Sequence, residues 1–122
     1  MPKEMKSMSE ITVFHKILAG EIPADKVYED ERCIVIRDIQ PQAPVHLLCI
    51  PKEFIRDVSS ISQETDPALL GHLLFVASQV ARNEGIESSG YRLIFNCGED
   101  SGQEVPYLHL HIIGGKKLPS LG

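Results

Sequence analysis

The chain has no basic run and no surplus of lysine and arginine: 12 of them stand against 17 aspartates and glutamates, for a formal net charge of -5. That balance excludes a protein whose affinity is mainly for DNA, RNA or an anionic membrane, because a basic face supplies most of such binding. It leaves room for a small anion, which a few local donors can hold. Apolar runs are short as well. None approaches the roughly 18 residues of a membrane-spanning helix, and the opening MPKEMKSMSEITVF lacks the apolar core of a secretory leader. Cysteine is scarce: Cys33, Cys49 and Cys97 lie far apart with no CxxC spacing, so neither a thiolate zinc site nor a thioredoxin-like motif is signalled. An odd count set in apolar sequence implies reduced thiols in a reducing compartment. These absences make the cytoplasm the expected location, with no membrane or nucleic-acid partner.

What is present is an ordinary soluble composition, with 43% hydrophobic and 24% charged residues in 122 positions. A chain this long buries about two-thirds of the surface its unfolded form exposes, enough to fold without a disulfide or metal. One domain over residues 9–122 is expected, behind a flexible N-terminus of residues 1–8.

Ile11, Phe14, Ile17 and Leu18 have helical spacing, with Ser9 as the expected N-cap, Thr12 as its competitor, and Gly20 and Pro23 as stops. Residues 26–29 and 32–37 read as strands joined by the two-residue connection Asp30-Glu31. Pro41 and Pro44 then break regular structure. Val45–Ile50 is a central strand closed by Pro51, and Phe54–Ile61 suggests a short helical turn. Asp66-Pro67 opens the main helix, residues 67–84, with Leu70, Leu73, Leu74, Ala77, Val80 and Ala81 as its apolar stripe. Tyr91–Asn96 and Pro106–Ile113 are the last two strands, joined by a polar loop that carries Gly98 and Gly102. The class is therefore α+β, a mostly antiparallel five-stranded sheet with one long and one short helix.

The chemistry concentrates in Tyr107-Leu108-His109-Leu110-His111. Alternate side chains of a strand share a face. Tyr107, His109 and His111 thus point one way, and Leu108, Leu110 and Ile112 point into the core. Paired imidazoles on an open face suit a nucleophile, a proton donor or metal ligands. The pattern alone fits a half-exposed strand that happens to carry two histidines better than it fits chemistry.

Read along its whole length, the sequence resembles the histidine triad (HIT) nucleotide-binding proteins, in the branch of small adenosine monophosphoramidases. The resemblance runs from about Ile11 to Gly115, through Phe14-x-Lys16-Ile17, Glu21-Ile22-Pro23-Ala24, Tyr28-Glu29-Asp30 and Asp38-Ile39-x-Pro41-Gln42-Ala43-Pro44-x-His46. It continues in Ile50-Pro51-Lys52, Gly90-Tyr91-Arg92, Asn96, Gly102-Gln103-Glu104-Val105 and His109-x-His111-x-x-Gly114-Gly115. It implies a homodimer whose two sheets join into one, each subunit keeping its own site for a purine nucleotide. His109 falls on the family's nucleophile, His111 on the third triad member, and His46 on a further histidine behind the triad. Asp38 would bind the ribose, with Val13, Phe14, Ile17, Ile36, Ile39 and Leu48 around the base. Asn96, Gly102, Gln103 and Glu104 would border the phosphate, its oxygens received by the amides of the Gly102-Gln103 loop.

An imidazole nitrogen attacking phosphorus makes a P–N bond like the one it breaks in a phosphoramidate, and water can then cleave the nucleotidyl-histidine. The amine leaves only if a neighbouring acid protonates it. The chain departs from the family in one consequential place: Tyr107 replaces the first triad histidine. A phenol with an ordinary pKa near 10 is a poor substitute at neutral pH. Phe54 likewise stands where the family often has histidine. Two expectations follow, a purine nucleoside phosphoramidase acting through His109 with reduced turnover, or a nucleotide-binding module with vestigial catalysis. No cofactor is required on either reading. Zinc held by His46, His109 and His111 would be incidental, since the imidazoles must stay free for phosphorus. His15 and His72 read as ordinary surface or boundary residues.

Overall fold

The computed structural model describes residues 11–121, so the flexible segment expected at 1–8 and the alternative cap Ser9 lie outside the described residues. The first helix, α1 (Val13–Leu18), is capped by Thr12, whose hydroxyl accepts from the amides of Phe14 and His15. His15 returns the bond, its Nδ1 accepting from the Thr12 amide at 3.0 Å. The strands are β1 (Lys26–Glu29), β2 (Cys33–Arg37), β3 (Val45–Pro51), β4 (Tyr91–Phe95) and β5 (Leu110–Gly114). They form one antiparallel sheet in the order β1-β2-β3-β5-β4. The long helix α2 (Pro67–Asn83) has Asp66 as N-cap and Pro67 in its first turn.

Several boundaries differ from the sequence reading. The β1–β2 connection is Asp30-Glu31-Arg32, one residue longer, because Asp30 Oδ1 accepts from the amides of Arg32 and Cys33 and so turns the chain itself. The last strand begins at Leu110, since residues 106–109 approach β3 without a ladder. Phe54–Ile61 holds only a 3-10 turn, Val58–Ser60.

Helix α2 packs on one face of the sheet against Cys33, Val35, Leu47, Cys49, Leu110 and Ile112. Its buried stripe is Leu69, Leu73, Val76, Ala77, Val80 and Ala81. Leu74 is exposed and Leu70 only half-buried, so the stripe lies closer to Leu69 and Val76 than the leucine spacing suggested. Phe75, 59% exposed, is also outside the core. On the opposite face Ile34, Ile36, Leu48 and Ile50 meet Phe14 of α1 and Tyr107. With both faces covered, β2 and β3 are buried almost residue for residue, which is why they read as continuous apolar runs. Bidentate Arg37–Glu84 contacts at 3.1 and 3.0 Å tie β2 to the end of α2.

Candidate active site

A cleft of about 640 Å³ opens on the α1 face of the sheet, a size suited to a small-molecule ligand. Val13, Phe14 and Ile17 form one wall, Ile36 and Leu48 the apolar floor, and Asp38 and Ile39 a lip. Asn96, Gly102 and Glu104 border the far end, and His46, His109 and His111 lie at the bottom. Register explains the grouping. His111 pairs with Leu48 of β3 and with Ile94 of β4, while His46 pairs with Ile113. His46 and His111 are therefore diagonal neighbours on one face, close enough for their rings to meet.

Backbone partners fix the proton on each ring. His109 Nδ1 lies 2.6 Å from the Tyr107 carbonyl. A carbonyl only accepts, so Nδ1 carries the hydrogen and Nε2 keeps its lone pair. His46 Nδ1 accepts from the Gln42 amide at 3.0 Å, which puts the hydrogen of His46 on Nε2. That hydrogen points at His111 Nδ1, 2.9 Å away, with Asp38 Oδ2 a longer second neighbour at 3.4 Å. His111 Nδ1 thus accepts, and its own hydrogen sits on Nε2. One lone pair and one N–H remain for a ligand.

Burial holds all three imidazoles below the usual histidine range. His46 and His109 are lowered by it against the opposing pull of Asp38. His111 falls furthest, to about 4, because burial is joined by the neighbouring rings of His109 and His46. The site without ligand is therefore a set of neutral rings. An anionic phosphate entering it would raise them again.

Tyr107 shares the sheet face of the histidines but does not enter the cleft. It is 1% exposed, and its hydroxyl donates to the Pro51 carbonyl at 2.6 Å. Phe14, His15 and Phe54 surround the ring edge-on at 6.0, 4.9 and 5.1 Å between centroids. Burial pushes its phenol up to about 12, with Glu53 adding to the effect. His15 is a half-buried boundary residue, and it closes both the α1 cap and this aromatic cluster. Phe14 also stands edge-on to His109, at 5.0 Å.

The loop between β4 and β5 corrects another expectation. Gly98 and Gly102 both have φ of +83°, so they earn their place by conformation. The amides of Gly102 and Gln103, expected to receive phosphate oxygens, donate instead to the carbonyls of Glu99 and Gly98 within the loop. The Gln103 side chain is turned away from the cleft. Its oxygen accepts from the Gly98 amide and its nitrogen donates to the carbonyls of Arg56 and Val105. Asn96 braces the loop by donating to the Ser101 carbonyl. Sequence reasoning missed the turn Ile22-Pro23-Ala24, which completes the wall beside Ile17, and Gln42, whose amide sets His46. Both lie in segments already singled out by their motifs. A carboxylate oxygen of Asp38 and ring nitrogens of His46 and His111 lie within 4.8 Å of one another, close enough to share a metal ion.

The family model for the HIT domain matches residues 19–118. The chain belongs to the HIT domain family. It is 47% identical over 111 residues to the purine nucleoside phosphoramidase of Escherichia coli K12, covering 91% of this chain and 92% of that one. It is 50% identical, over 91% of this chain and 96% of the other, to a HIT-like protein of Synechococcus elongatus. Among solved structures, a HIT family hydrolase from Clostridium thermocellum superposes with a TM-score of 0.87 at 47% identity, covering 92% of this chain and 97% of that one. A histidine triad protein from Clostridium difficile gives 0.85 at 42%, covering 90% and 95%.

Proposed function

We propose that this chain is a purine nucleoside phosphoramidase, hydrolysing the P–N bond of nucleoside 5′-monophosphoramidates through a nucleotidyl-His109 intermediate. The observation that carries the reading is the 2.6 Å contact from His109 Nδ1 to the Tyr107 carbonyl, which leaves Nε2 as a lone pair at the bottom of the cleft. That nitrogen forms a bond to phosphorus as the P–N bond to the amine breaks. The departing amine takes the Nε2 proton of His111, the N–H that the site presents to a ligand, and the phosphate charge favours the proton uptake that replaces it. Water then attacks the nucleotidyl-histidine, releasing the nucleoside monophosphate and His109. Asp38 accepts the ribose hydroxyls, and Val13, Phe14, Ile17, Ile36, Ile39 and Leu48 enclose the base. With the Gly102 and Gln103 amides engaged in their loop, the second hydrogen of the Asn96 side-chain amide, beside the one given to Ser101, is the donor that meets the phosphate.

The reaction needs no metal. Zinc at Asp38, His46 and His111 would compete with it for the same rings. Two copies pair through β4, an edge strand that carries the exposed Leu93; the other edge, β1, is short, charged and bulged. The free thiols Cys33, Cys49 and Cys97 suit a reducing cytoplasm, and no helix among the described residues is long and apolar enough to cross a membrane.

The second reading, a nucleotide-binding module with slow turnover, draws on Tyr107, whose hydroxyl is engaged with Pro51 and holds its proton at any physiological pH. A single-turnover assay with an adenosine phosphoramidate separates the two. The phosphoramidase yields an acid-labile adenylyl adduct that is absent in His109→Ala. Tight nucleotide binding without any adduct overturns it.

A further inference from the structure

A second group of donor side chains lies on the α2 face of the sheet, away from the cleft. Asp30 in the β1–β2 connection, Cys33 at the start of β2 and His72 on α2 bring a carboxylate oxygen, a sulfur and a ring nitrogen within 4.8 Å of one another. Cys49 of β3 stands behind on the same sheet face, a diagonal neighbour of Cys33 because it pairs with Val35, and its thiol faces the Leu73 carbonyl beside His72 at 4.0 Å. No role in the phosphoryl chemistry uses any of the four. We propose that Asp30, Cys33, His72 and Cys49 form a tetrahedral binding site for a zinc-class divalent cation.

The donor set is the first support. Two sulfurs, an imidazole and a carboxylate match the mixed ligation that zinc accepts, and such a set discriminates against magnesium and calcium. Asp30 and Cys33 are three residues apart, but Cys49 and His72 come from β3 and α2, so no CxxC spacing announces the set.

Orientation is the second. Asp30 Oδ1 accepts from the amides of Arg32 and Cys33 at 2.7 and 2.9 Å, and Oδ2 accepts from the Tyr28 hydroxyl at 2.6 Å. Bonds of this kind are what hold a ligating carboxylate in place from behind. His72 Nε2 lies 2.7 Å from the same Oδ2, so a proton now occupies the position between the two ligands. A bound cation replaces that proton at Nε2, and the neutral ring that ligates carries its one hydrogen on Nδ1. Each thiol that ligates also releases its proton.

Access is the third. The side chains of His72 and Asp30 are 28% and 25% exposed and form a mouth, while both cysteines are fully buried behind it. The edges of a zinc tetrahedron with these ligands measure about 3.3–3.8 Å. The cluster therefore has to contract on the sulfur side, by rotation of the cysteine side chains, and to open between Asp30 and His72, by rotation of the His72 ring. The tetrahedron is independent of the reaction in the cleft.

Titration of the full chain with cobalt(II) tests the site. The expected result is one equivalent bound per chain, with tetrahedral d–d bands and a sulfur-to-cobalt charge-transfer band that zinc bleaches. His72→Gln and Cys33→Ser should each weaken binding at least tenfold. Cys97→Ser, which removes the thiol outside the core, and His111→Gln, which disables the trio in the cleft, should leave the band intact. If Cys33→Ser does not fold, the partly exposed His72→Gln carries the assignment, with bleaching by zinc as its readout. Absence of the charge-transfer band, its persistence in His72→Gln, or its loss in Cys97→Ser overturns the proposal.

Discussion

The carbonyl of Tyr107 and the Nδ1 proton of His109 meet at 2.6 Å, on residues two apart along the same sheet face. The contact belongs to the main chain of position 107, not to its side chain. Replacing histidine by tyrosine there leaves the tautomer of His109 untouched, and the new hydroxyl finds its own partner in Pro51.

Tyr107→Phe removes that hydroxyl alone. Stability should fall by about 1 kcal/mol, the net worth of a buried hydrogen bond, while kcat/KM should change by about twofold or less, because the carbonyl that orients His109 remains. Denaturant unfolding and steady-state kinetics check the pair of outcomes. Large loss of activity in a well-folded Tyr107→Phe protein would show that the phenol itself takes part.

Tyr107→His should not raise turnover. The ring would sit among Phe14, His15 and Phe54, outside the cleft, with its polar atoms buried beside aromatic edges. A loss of about 1–3 kcal/mol is expected for a polar group left unpaired there. Gain of turnover in the variant contradicts this.

His46→Ala removes the donor to His111 Nδ1 and strands the Gln42 amide. Loss of such an orienting partner typically costs about 10- to 100-fold, and the loss should appear in kcat with KM little changed. A variant with normal kcat would separate His46 from the chemistry.

Acid should depress both rate and stability. A protonated His109 cannot attack, and its pKa is held below the usual value by burial, so kcat/KM should fall on the acid side with an apparent pKa below about 6.5. For stability, the folded-state pKa of His111 is lowered to about 4 while the unfolded chain titrates near 6.5, so the unfolded state binds more protons between these values. The contribution is complete above that window and is lost as pH falls through it. Urea midpoints measured from pH 7 to 4 test the sign; a midpoint that rises on acidification refutes it.

Asp38 should read the ribose. Wild-type protein should prefer a ribonucleoside phosphoramidate over its 2′-deoxy counterpart by about tenfold or more, the usual value of a hydrogen bond to a carboxylate. Asp38→Ala should erase that preference. Equal discrimination in both proteins would move the ribose elsewhere.

Much of this was legible in the chain. Period-two alternation in residues 107–112 placed imidazoles and leucines on opposite faces, and Asp66-Pro67 marked the start of α2, because both signals are local. The family resemblance supplied most of the cleft residues but gave no role to Asp25, Arg37, Gln40 or Val105. Hydrogen-bond direction was not legible. The Gly102 and Gln103 amides look like phosphate donors until the loop folds back on Gly98 and Glu99, and the identity of a turn residue does not reveal which carbonyl it faces. The rotation of α2 is not legible for a related reason. Leu74 is as apolar as Leu73, yet only one can face the sheet once Leu69 and Val76 are buried. The contacts of His15 are not legible either, because its two partners, the Thr12 cap and the Tyr107 ring, come from the helix end and from a segment far along the chain.

Strand β5 alternates core and chemistry one residue at a time, Leu110 and Ile112 inward, His111 outward, with His109 just before it. Such a strand can absorb substitution but not a change of length. Deleting or inserting a single residue between His109 and His111 would swap the two faces, burying an imidazole beneath α2 and presenting a leucine to the ligand. Length variation among viable descendants of this protein is therefore confined to the flanking loops.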